Sequence, residues 1–313
     1  EAGQGDTEDA ALLNNLNAYT YVFFAENFCS GVPFSSASLS GQITYSGGIT
    51  TEAMLNEAID RFDAAIVRAQ AAGSAEQEAV ARVGKARALL DLGQFAEAAA
   101  EAALVPDGVE FEAGYSSNSA GQNNGIWSQI NSTRRASVAT NEGTNGLAFF
   151  NRGDTTETID PRVPVDSLGV GIGTTIPVYS QLKYPDLGSD IPLATSVEAR
   201  LIEAEAALNG GASTAYLPIL NQLRADAGIA GTLTDPGAGD PRVLQLYEER
   251  AFWLWLTAHR VGDLRRLIDF YGFDQAEVFP IGSTLYGTLY GDDVSLLIPD
   301  EEENNPEYQG ACL

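Results

Sequence analysis

The sequence predicts a mainly α-helical protein: an array of about four helix pairs carrying a loop-rich layer, with at most a few short strands. Residues 1–106 and 193–272 repeat apolar positions every three or four residues, which is the period of an amphipathic helix. Residues 107–192 lack that period and are rich in Gly, Asn, Ser and Thr. They are expected to form either an elaborated binding surface or loops packed over the helices. With the irregular tail 273–313, these segments are assigned to a single domain, 1–313.

The N-terminal part contains four predicted helices. The first covers residues 9–27, and the second begins at a Thr51 cap. Ser74, with Gln77 as its partner in a capping box, is expected to start the third helix. A short antiparallel helix follows from Phe95.

The third and fourth helices have the features of a tight hairpin. Small residues at Ala81, Gly84 and Ala88 allow a neighbouring helix to approach closely, Gly93 supplies the turn, and Phe95 begins the next helix. This order of small residues, a Leu-Gly turn and an aromatic residue resembles one tetratricopeptide repeat. The resemblance implies a tetratricopeptide-like array of helical hairpins.

Four further helices are predicted in the C-terminal part. Their approximate extents are 197–209, 213–227, 241–259 and 262–270. The third of these carries Phe252, Trp253 and Trp255, and apolar residues cover too much of its circumference for a surface stripe. We therefore expect it to be buried.

Composition argues against several classes of function. The chain has 43 acidic and 17 basic residues, a net charge of −26, which repels nucleic acid and anionic lipid. The carboxylates offer ligands for a structural Ca²⁺, although a solvated acidic surface is the simpler interpretation. His259 is the only histidine, so no catalytic arrangement or metal site that needs two is available. We expect no enzymatic activity, no cofactor and no catalytic metal.

The start of the chain and its cysteines indicate a secreted protein. The sequence opens at Glu1, as a mature chain does after removal of a signal peptide, and it has no apolar stretch long enough to span a bilayer. Cys29 and Cys312 are the two cysteines, and an even pair in a secreted chain predicts a disulfide. Two unpaired buried thiols are the alternative.

A series of short motifs resembles the SusD/RagB family of outer-membrane nutrient-binding proteins. The segment 249–266 reads ERAFWLWLTAHRVGDLRR and is similar to a family landmark almost residue for residue, with Ala258 where glycine is usual. The other matching segments are Asp160-Pro161-Arg162, Ala204-Glu205-Ala206, Asn221-Gln222-Leu223-Arg224-Ala225-Asp226-Ala227-Gly228 and Ile298-Pro299-Asp300-Glu301 with Asn305-Pro306.

The resemblance implies a tetratricopeptide-like scaffold that captures glycans or other nutrients without catalysis. It also implies a place at the outer-membrane surface or outside the cell, and an outer-membrane barrel transporter as partner. The chain is shorter than usual members and begins without their lipidated cysteine. We therefore keep an alternative, a self-associating extracellular structural protein, in which copies of the same scaffold form a filament or surface layer.

Glycan binding requires an exposed aromatic ring, on which a pyranose face stacks, beside amide and carboxylate groups that bond its hydroxyls. The segment QNNGIWSQ in the aperiodic region has that composition. Candidate ligand-binding residues are Trp127, Asn123, Asn124, Gln129, Tyr115, Tyr286 and Tyr290. The alternative for Trp127 is that it pins a long loop to the helices.

Other residues are expected to support structure or to carry modifications. Structural roles, including ion pairs that orient the helix, are predicted for Glu249, Arg250, Trp255, His259, Arg260, Asp263, Arg265 and Arg266. Thr155 and Ser167 lie in Asp-Ser/Thr patterns that resemble O-glycosylation sites of Bacteroidota, and Asn131 fits the N-linked sequon.

Overall fold

The computed structural model describes residues 5–149, 160–284, 287–308 and 310, and the predicted mainly α-helical fold is confirmed. The α-helices of these residues are α1 (Glu8–Asn27), α2 (Thr51–Ala72), α3 (Ala75–Asp91), α4 (Phe95–Ala102), α5 (Gly125–Trp127), α6 (Ser196–Leu208), α7 (Tyr216–Asp226), α8 (Asp240–Trp253), α9 (Arg260–Tyr271) and α10 (Gln275–Val278).

The strands are short. They are β1 (Val32–Pro33), β2 (Ser36–Ala37), β3 (Ile43–Thr44), β4 (Gly48–Ile49), β5 (Glu110–Ala113), β6 (Val165–Val170), β7 (Pro177–Gln181) and β8 (Ile191–Thr195). They pair as four separate antiparallel ribbons, β1 with β4, β2 with β3, β5 with β8 and β6 with β7. Across the described ranges no sheet has more than two strands, which agrees with the predicted helical array.

The chain divides into two compact units. Unit 1 consists of the described parts of 1–109, 198–206 and 293–313, and unit 2 of the described parts of 110–197 and 207–292. The prediction of a single domain stays a prediction.

The core of unit 1 is built from α1, α2 and α3. Gly84 in α3 explains how closely α2 and α3 pack, because a Cβ built there would lie 2.1 Å from Cζ of Phe62. Ala81 and Ala88 are fully buried on the same helix. The small residues therefore allow the close helix approach that the sequence predicts.

The capping of two helices in unit 1 differs from the sequence prediction. Thr50, one residue before Thr51, is the N-cap of α2, and its Oγ1 accepts from Ala53 N at 3.1 Å. Ser74 does cap α3, but the Gln77 side chain does not complete a capping box. Its Oε1 instead accepts from buried Asn15 of α1 at 3.1 Å, a partner 62 residues away that local sequence does not reveal.

In unit 2 the predicted helix 241–259 ends at Trp253 and a new helix, α9, begins at Arg260. The intervening residues Leu256 and Ala258 have positive φ values of 58° and 62°. Ala258 stands where the related family usually has glycine, the residue that adopts this conformation without steric cost. The helix ends because Lys183 Nζ donates to Trp255 O at 2.7 Å and Tyr184 OH donates to Leu256 O at 3.0 Å.

Candidate functional site

Residues from three of the family-like motifs meet in one ionic cluster of unit 2. Arg162 donates to Asp160 Oδ2 and to Glu249 Oε2, both at 2.6 Å, and Arg224 donates to Glu249 Oε1 at 2.6 Å. Burial raises the pKa of Asp160, but the Arg162 hydrogen bonds outweigh it and hold that pKa below its usual value. The motif residues of this cluster tie distant segments of unit 2 together.

A second buried cluster joins α8 to α9. Asp263 Oδ1 accepts from Arg250 at 2.8 Å and from Arg266 at 2.7 Å, and all three side chains are buried. Burial acts to raise the pKa of Asp263, but the two guanidinium groups overcome it and hold the pKa far below its usual range. These residues fix how the two helices meet.

The other structural candidates lie close to this cluster in sequence. His259 is buried, and its Nδ1 lies 2.9 Å from Thr257 Oγ1. Arg260 donates to Glu142 Oε1 at 2.8 Å. Trp255 is buried in an apolar cluster of unit 2, and the residues packed there are Val138, Phe149, Val163, Tyr179, Phe252 and Trp255.

The predicted ligand residues between 123 and 129 lie on one short turn. Trp127 ends α5 and is half-buried, and Gln129 is exposed. Asn124 is fully buried as the N-cap of α5, where its Oδ1 accepts from Trp127 N at 3.0 Å and its Nδ2 donates to Ser189 O at 2.8 Å. Asn123 is half-buried beside it. This turn therefore presents Trp127 and Gln129, while Asn124 shapes it.

Of the two tyrosine candidates that the structure describes, Tyr115 is the one tied to this turn. Its neighbour Ser116 donates through its N–H to Gln122 O at 2.8 Å, and Tyr115 N itself donates to Asp190 Oδ1 at 2.7 Å. Tyr290 N donates to Gly282 O at 3.0 Å, and no hydrogen bond among the described residues links Tyr290 to the turn. Tyr286 lies outside the described residues.

A pair of arginines that the sequence patterns did not single out follows this turn. Arg135 N donates to Gln129 O at 3.0 Å, which folds the chain back beside Gln129. Arg134 is half-buried, and Arg135 is exposed. The sequence does contain a feature that could have identified these arginines: no Asp or Glu occurs from Ala113 to Asn141, although the chain as a whole is acidic.

The disulfide and glycosylation sites stay predictions. Cys29 N donates to Leu296 O at 3.1 Å, so the C-terminal segment passes beside it, but Cys312 and Thr155 lie outside the described residues. Ser167 is exposed in β6. Asn131 Nδ2 donates to Gln181 O at 2.8 Å, which engages the nitrogen that an N-linked glycan would modify.

Three further observations concern cavities, metals and membranes. A cavity of about 200 Å³ in unit 2 is lined by apolar side chains of α8 and α9 with Arg260 at its side, and it includes none of the predicted ligand residues. The described ranges hold no group of three or more His, Cys, Asp or Glu side chains placed to bind a metal ion. Nor do they hold a helix with the length and apolar character needed to cross a bilayer.

The architecture defines a class: mainly α-helical proteins with long loops and two-stranded ribbons between the helices. Comparison with solved structures then shows that this chain has the fold of SusD-like proteins, as the sequence motifs predict. The identities are low, and no protein-family model and no curated protein matches the sequence.

Three solved structures illustrate the likeness. A SusD superfamily protein from Parabacteroides distasonis is 15% identical, with a TM-score of 0.60 over 96% of this chain and 77% of that one. Surface glycan-binding protein A from Bacteroides uniformis is 12% identical, with a TM-score of 0.57 over 96% and 77%. A SusD-like carbohydrate binding protein from Bacteroides fragilis is 15% identical, with a TM-score of 0.57 over 84% and 68%.

Proposed function

We propose that this protein binds glycans without turning them over, through the turn that carries Trp127 and Gln129. The observation that carries the proposal is a half-buried Trp127 followed two residues later by the exposed Gln129, in the loop-rich region of a SusD-like fold. Two of the solved structures with this fold are named as glycan-binding or carbohydrate binding proteins. We further propose that the protein acts at the outer-membrane surface or outside the cell, with an outer-membrane barrel transporter as its partner.

The geometry of the turn fits the physical requirement for sugar recognition. The Asn124 cap and its bond to Ser189 O hold α5 in place, so the backbone that carries the Trp127 ring is fixed before a ligand arrives. A preorganised ring loses little conformational entropy on binding, and its apolar face suits the CH face of a pyranose. Gln129 supplies both a donor and an acceptor for hydroxyl groups.

Replacing Trp127 by Ala is expected to weaken binding to the recognised polysaccharide about tenfold or more, which is ~1.4 kcal/mol. The reason is that a stacking ring contributes mainly to the complex. The melting temperature should change little, because Asn124 and not Trp127 closes the turn. Affinity gel electrophoresis against a polysaccharide panel, with calorimetry on the hits, measures the effect.

The matched control is Phe270→Ala, which removes an aromatic ring that is 40% exposed on α9 of unit 2. It should leave every affinity unchanged. Equal binding by wild type and the Trp127 variant would contradict the proposed site. Hydrolysis of any panel member, lost on replacing one carboxylate, would contradict a non-catalytic role.

A second candidate function, self-association, is favoured by an uncharged surface segment of unit 1. Residues 27–51 contain no Asp, Glu, Lys or Arg, although the chain carries a net charge of −26. The β2–β3 ribbon in this segment exposes Leu39, Ile43 and Tyr45 by 111%, 52% and 44%. Exposed apolar edge strands without charged residues favour pairing with another chain, and an uncharged contact avoids the repulsion between two acidic copies.

If copies pair through this segment, replacing Ile43 by Asp is expected to convert oligomers to monomers, because the new charge must be buried against an uncharged partner. Sedimentation velocity across a dilution series measures the mass. The control is Leu104→Asp, which places the same charge at a 58% exposed leucine of unit 1 outside the segment. A wild-type protein that remains monomeric at every concentration would remove this candidate.

A further inference from the structure

Two stretches of the loop-rich region of unit 2 lack the acidic residues that dominate the rest of the chain. With 43 acidic residues among 313, about one residue in seven is acidic. Yet two stretches, Ala113–Asn141 and Ser167–Pro185, contain no Asp or Glu. The basic residues in them are Arg134, Arg135 and Lys183.

These two stretches pack against each other. Val138 N donates to Tyr179 O at 3.0 Å, Tyr179 N donates to Ser137 Oγ at 2.9 Å, and Asn131 Nδ2 donates to Gln181 O at 2.8 Å. The segment that carries Arg134 and Arg135 therefore lies along β7, which is itself free of carboxylates. Acidic residues border this region: Asp166 of β6 pairs with Ser180 of β7, and Asp190 accepts from Tyr115 N.

Arg134 and Arg135 also differ from other arginines of unit 2. Arg162, Arg224 and Arg242 each donate to a carboxylate. Within the part of the chain that the structure describes, the side chains of Arg134 and Arg135 make no hydrogen bond or ion pair. In a chain with this surplus of acids, an adjacent arginine pair that no acid of the described ranges pairs with is available to an external anion.

The backbone presents the pair beside the proposed glycan site. Arg135 N and Ala136 N both donate to Gln129 O, at 3.0 and 3.2 Å, so Arg135 lies next to Gln129 and close in sequence to Trp127. Arg134 has φ of 52°, in the left-handed region that side chains other than Gly rarely adopt. Such conformations persist where the surrounding structure enforces them, and they cluster at ligand sites.

We infer that the 127–135 surface, formed by Trp127, Gln129, Arg134 and Arg135, binds an anionic polysaccharide. A sugar ring stacks on Trp127, and carboxylate or sulfate groups of the chain pair with the two guanidinium forks, whose geometry suits planar and multidentate anions. At physiological ionic strength the Debye length is about 8 Å, so the distant acidic surface is screened and the local charge decides. The inference rests on the proposed function and specifies its ligand class.

The experiment uses two pairs of polysaccharides that differ only in charge: polygalacturonate with its methyl ester, and dextran sulfate with dextran. The expected result is that wild-type protein binds the charged member of one pair about tenfold more tightly than its neutral partner. The double variant R134Q/R135Q should lose that advantage and keep its affinity for the neutral member. A preference for polygalacturonate over its methyl ester indicates carboxylate recognition, and a preference for dextran sulfate over dextran indicates sulfate recognition.

The control R61Q/R68Q removes two positive charges from unit 1 and should leave all affinities unchanged. An equal loss in both double variants would show a general effect of net charge and overturn the inference. Binding of neutral glycans that needs Trp127 but not the arginines would overturn the inference and leave the proposed function standing. Failure to bind any polysaccharide would overturn both. Near-ultraviolet circular dichroism checks that R134Q/R135Q retains the wild-type fold.

Discussion

Replacing Asp263 by Asn is expected to lower the unfolding free energy of unit 2 by about 3–5 kcal/mol, the range seen when one partner of a buried ion pair is removed. Asp263 is 1% exposed, and it pairs with Arg250 and Arg266, which are 2% and 3% exposed. The variant leaves two buried guanidinium groups without this carboxylate. Arginine keeps its proton at every accessible pH, so the two groups cannot relieve the cost by becoming neutral.

The loss of unfolding free energy in the Asp263→Asn variant should therefore be nearly constant above about pH 5. The lowered pKa of Asp263 means that its contribution to stability is present above the unfolded value near 3.9 and is lost as the pH falls through the folded value. Urea unfolding followed by tryptophan fluorescence measures it, because Trp127, Trp253 and Trp255 all belong to unit 2.

The matched control is Asp235→Asn, which removes a carboxylate that bonds Arg242 at the surface of the same unit. Its effect should be several times smaller, because solvent compensates an exposed charge. Equal losses for the two variants would contradict the structural importance of the buried cluster.

Replacing Arg87 by Leu is expected to destabilise unit 1 by a similar amount, but with a strong dependence on pH. Arg87 Nε and Nη2 donate to both oxygens of Glu26 at 2.6 Å, and Arg87 Nη1 lies 3.7 Å from Glu198 Oε1. All three side chains are at most 3% exposed. Without the guanidinium, the two carboxyl groups must either remain charged in the core or bind protons.

The direction of this pH dependence follows from the pKa of Glu26. Burial raises that pKa, the Arg87 charge lowers it, and Asp91 raises it again, to about 8. Because this value lies above the unfolded value near 4.3, the contribution of Glu26 is fully present below about pH 4.3 and is lost as the pH rises through about 8. Removing Arg87 raises the pKa further, so the destabilisation should be largest at pH 8–9 and shrink towards pH 5.

Hydrogen exchange of peptides from α1 and α3, read by mass spectrometry at several pH values, isolates unit 1 from unit 2. Arg61→Leu is the control, since its Glu57 partner is 48% exposed at the side chain and such helix pairs contribute only about 0.3–0.5 kcal/mol. A loss in the Arg87 variant that is equal at pH 5 and pH 9 would contradict the role of the two carboxyl groups.

The sequence by itself determined the helices and the fold class, because both depend on local patterns. Apolar periodicity and the glycines after residues 72 and 92 define α2 and α3, and Gly84 marks a close helix contact before any partner is known. The motifs between 160 and 306 were enough to predict a SusD-like fold. A family resemblance depends on the types of residues and their order along the chain, and the sequence gives both directly.

Only the tertiary structure decided which charges are paired. Arg162 and Glu249 are 87 residues apart, and Arg87 and Glu26 are 61 apart, so no local spacing reveals either pair. The same applies to the end of α8, where hydrogen bonds from Lys183 and Tyr184 capture carbonyl groups 72 residues away.

For the candidate site, too, the sequence predicted some features and the tertiary structure was needed for others. The sequence identified Trp127 and Gln129 by composition, but it did not show that Asn124 is used as a helix cap. It contained Arg134 and Arg135 and an acid-free stretch around them, but their availability becomes visible only when other arginines of unit 2, such as Arg162, Arg224 and Arg242, are seen to donate to carboxylates. Whether a charge serves the fold or a ligand depends on which partners surround it in three dimensions, and sequence order does not specify those partners.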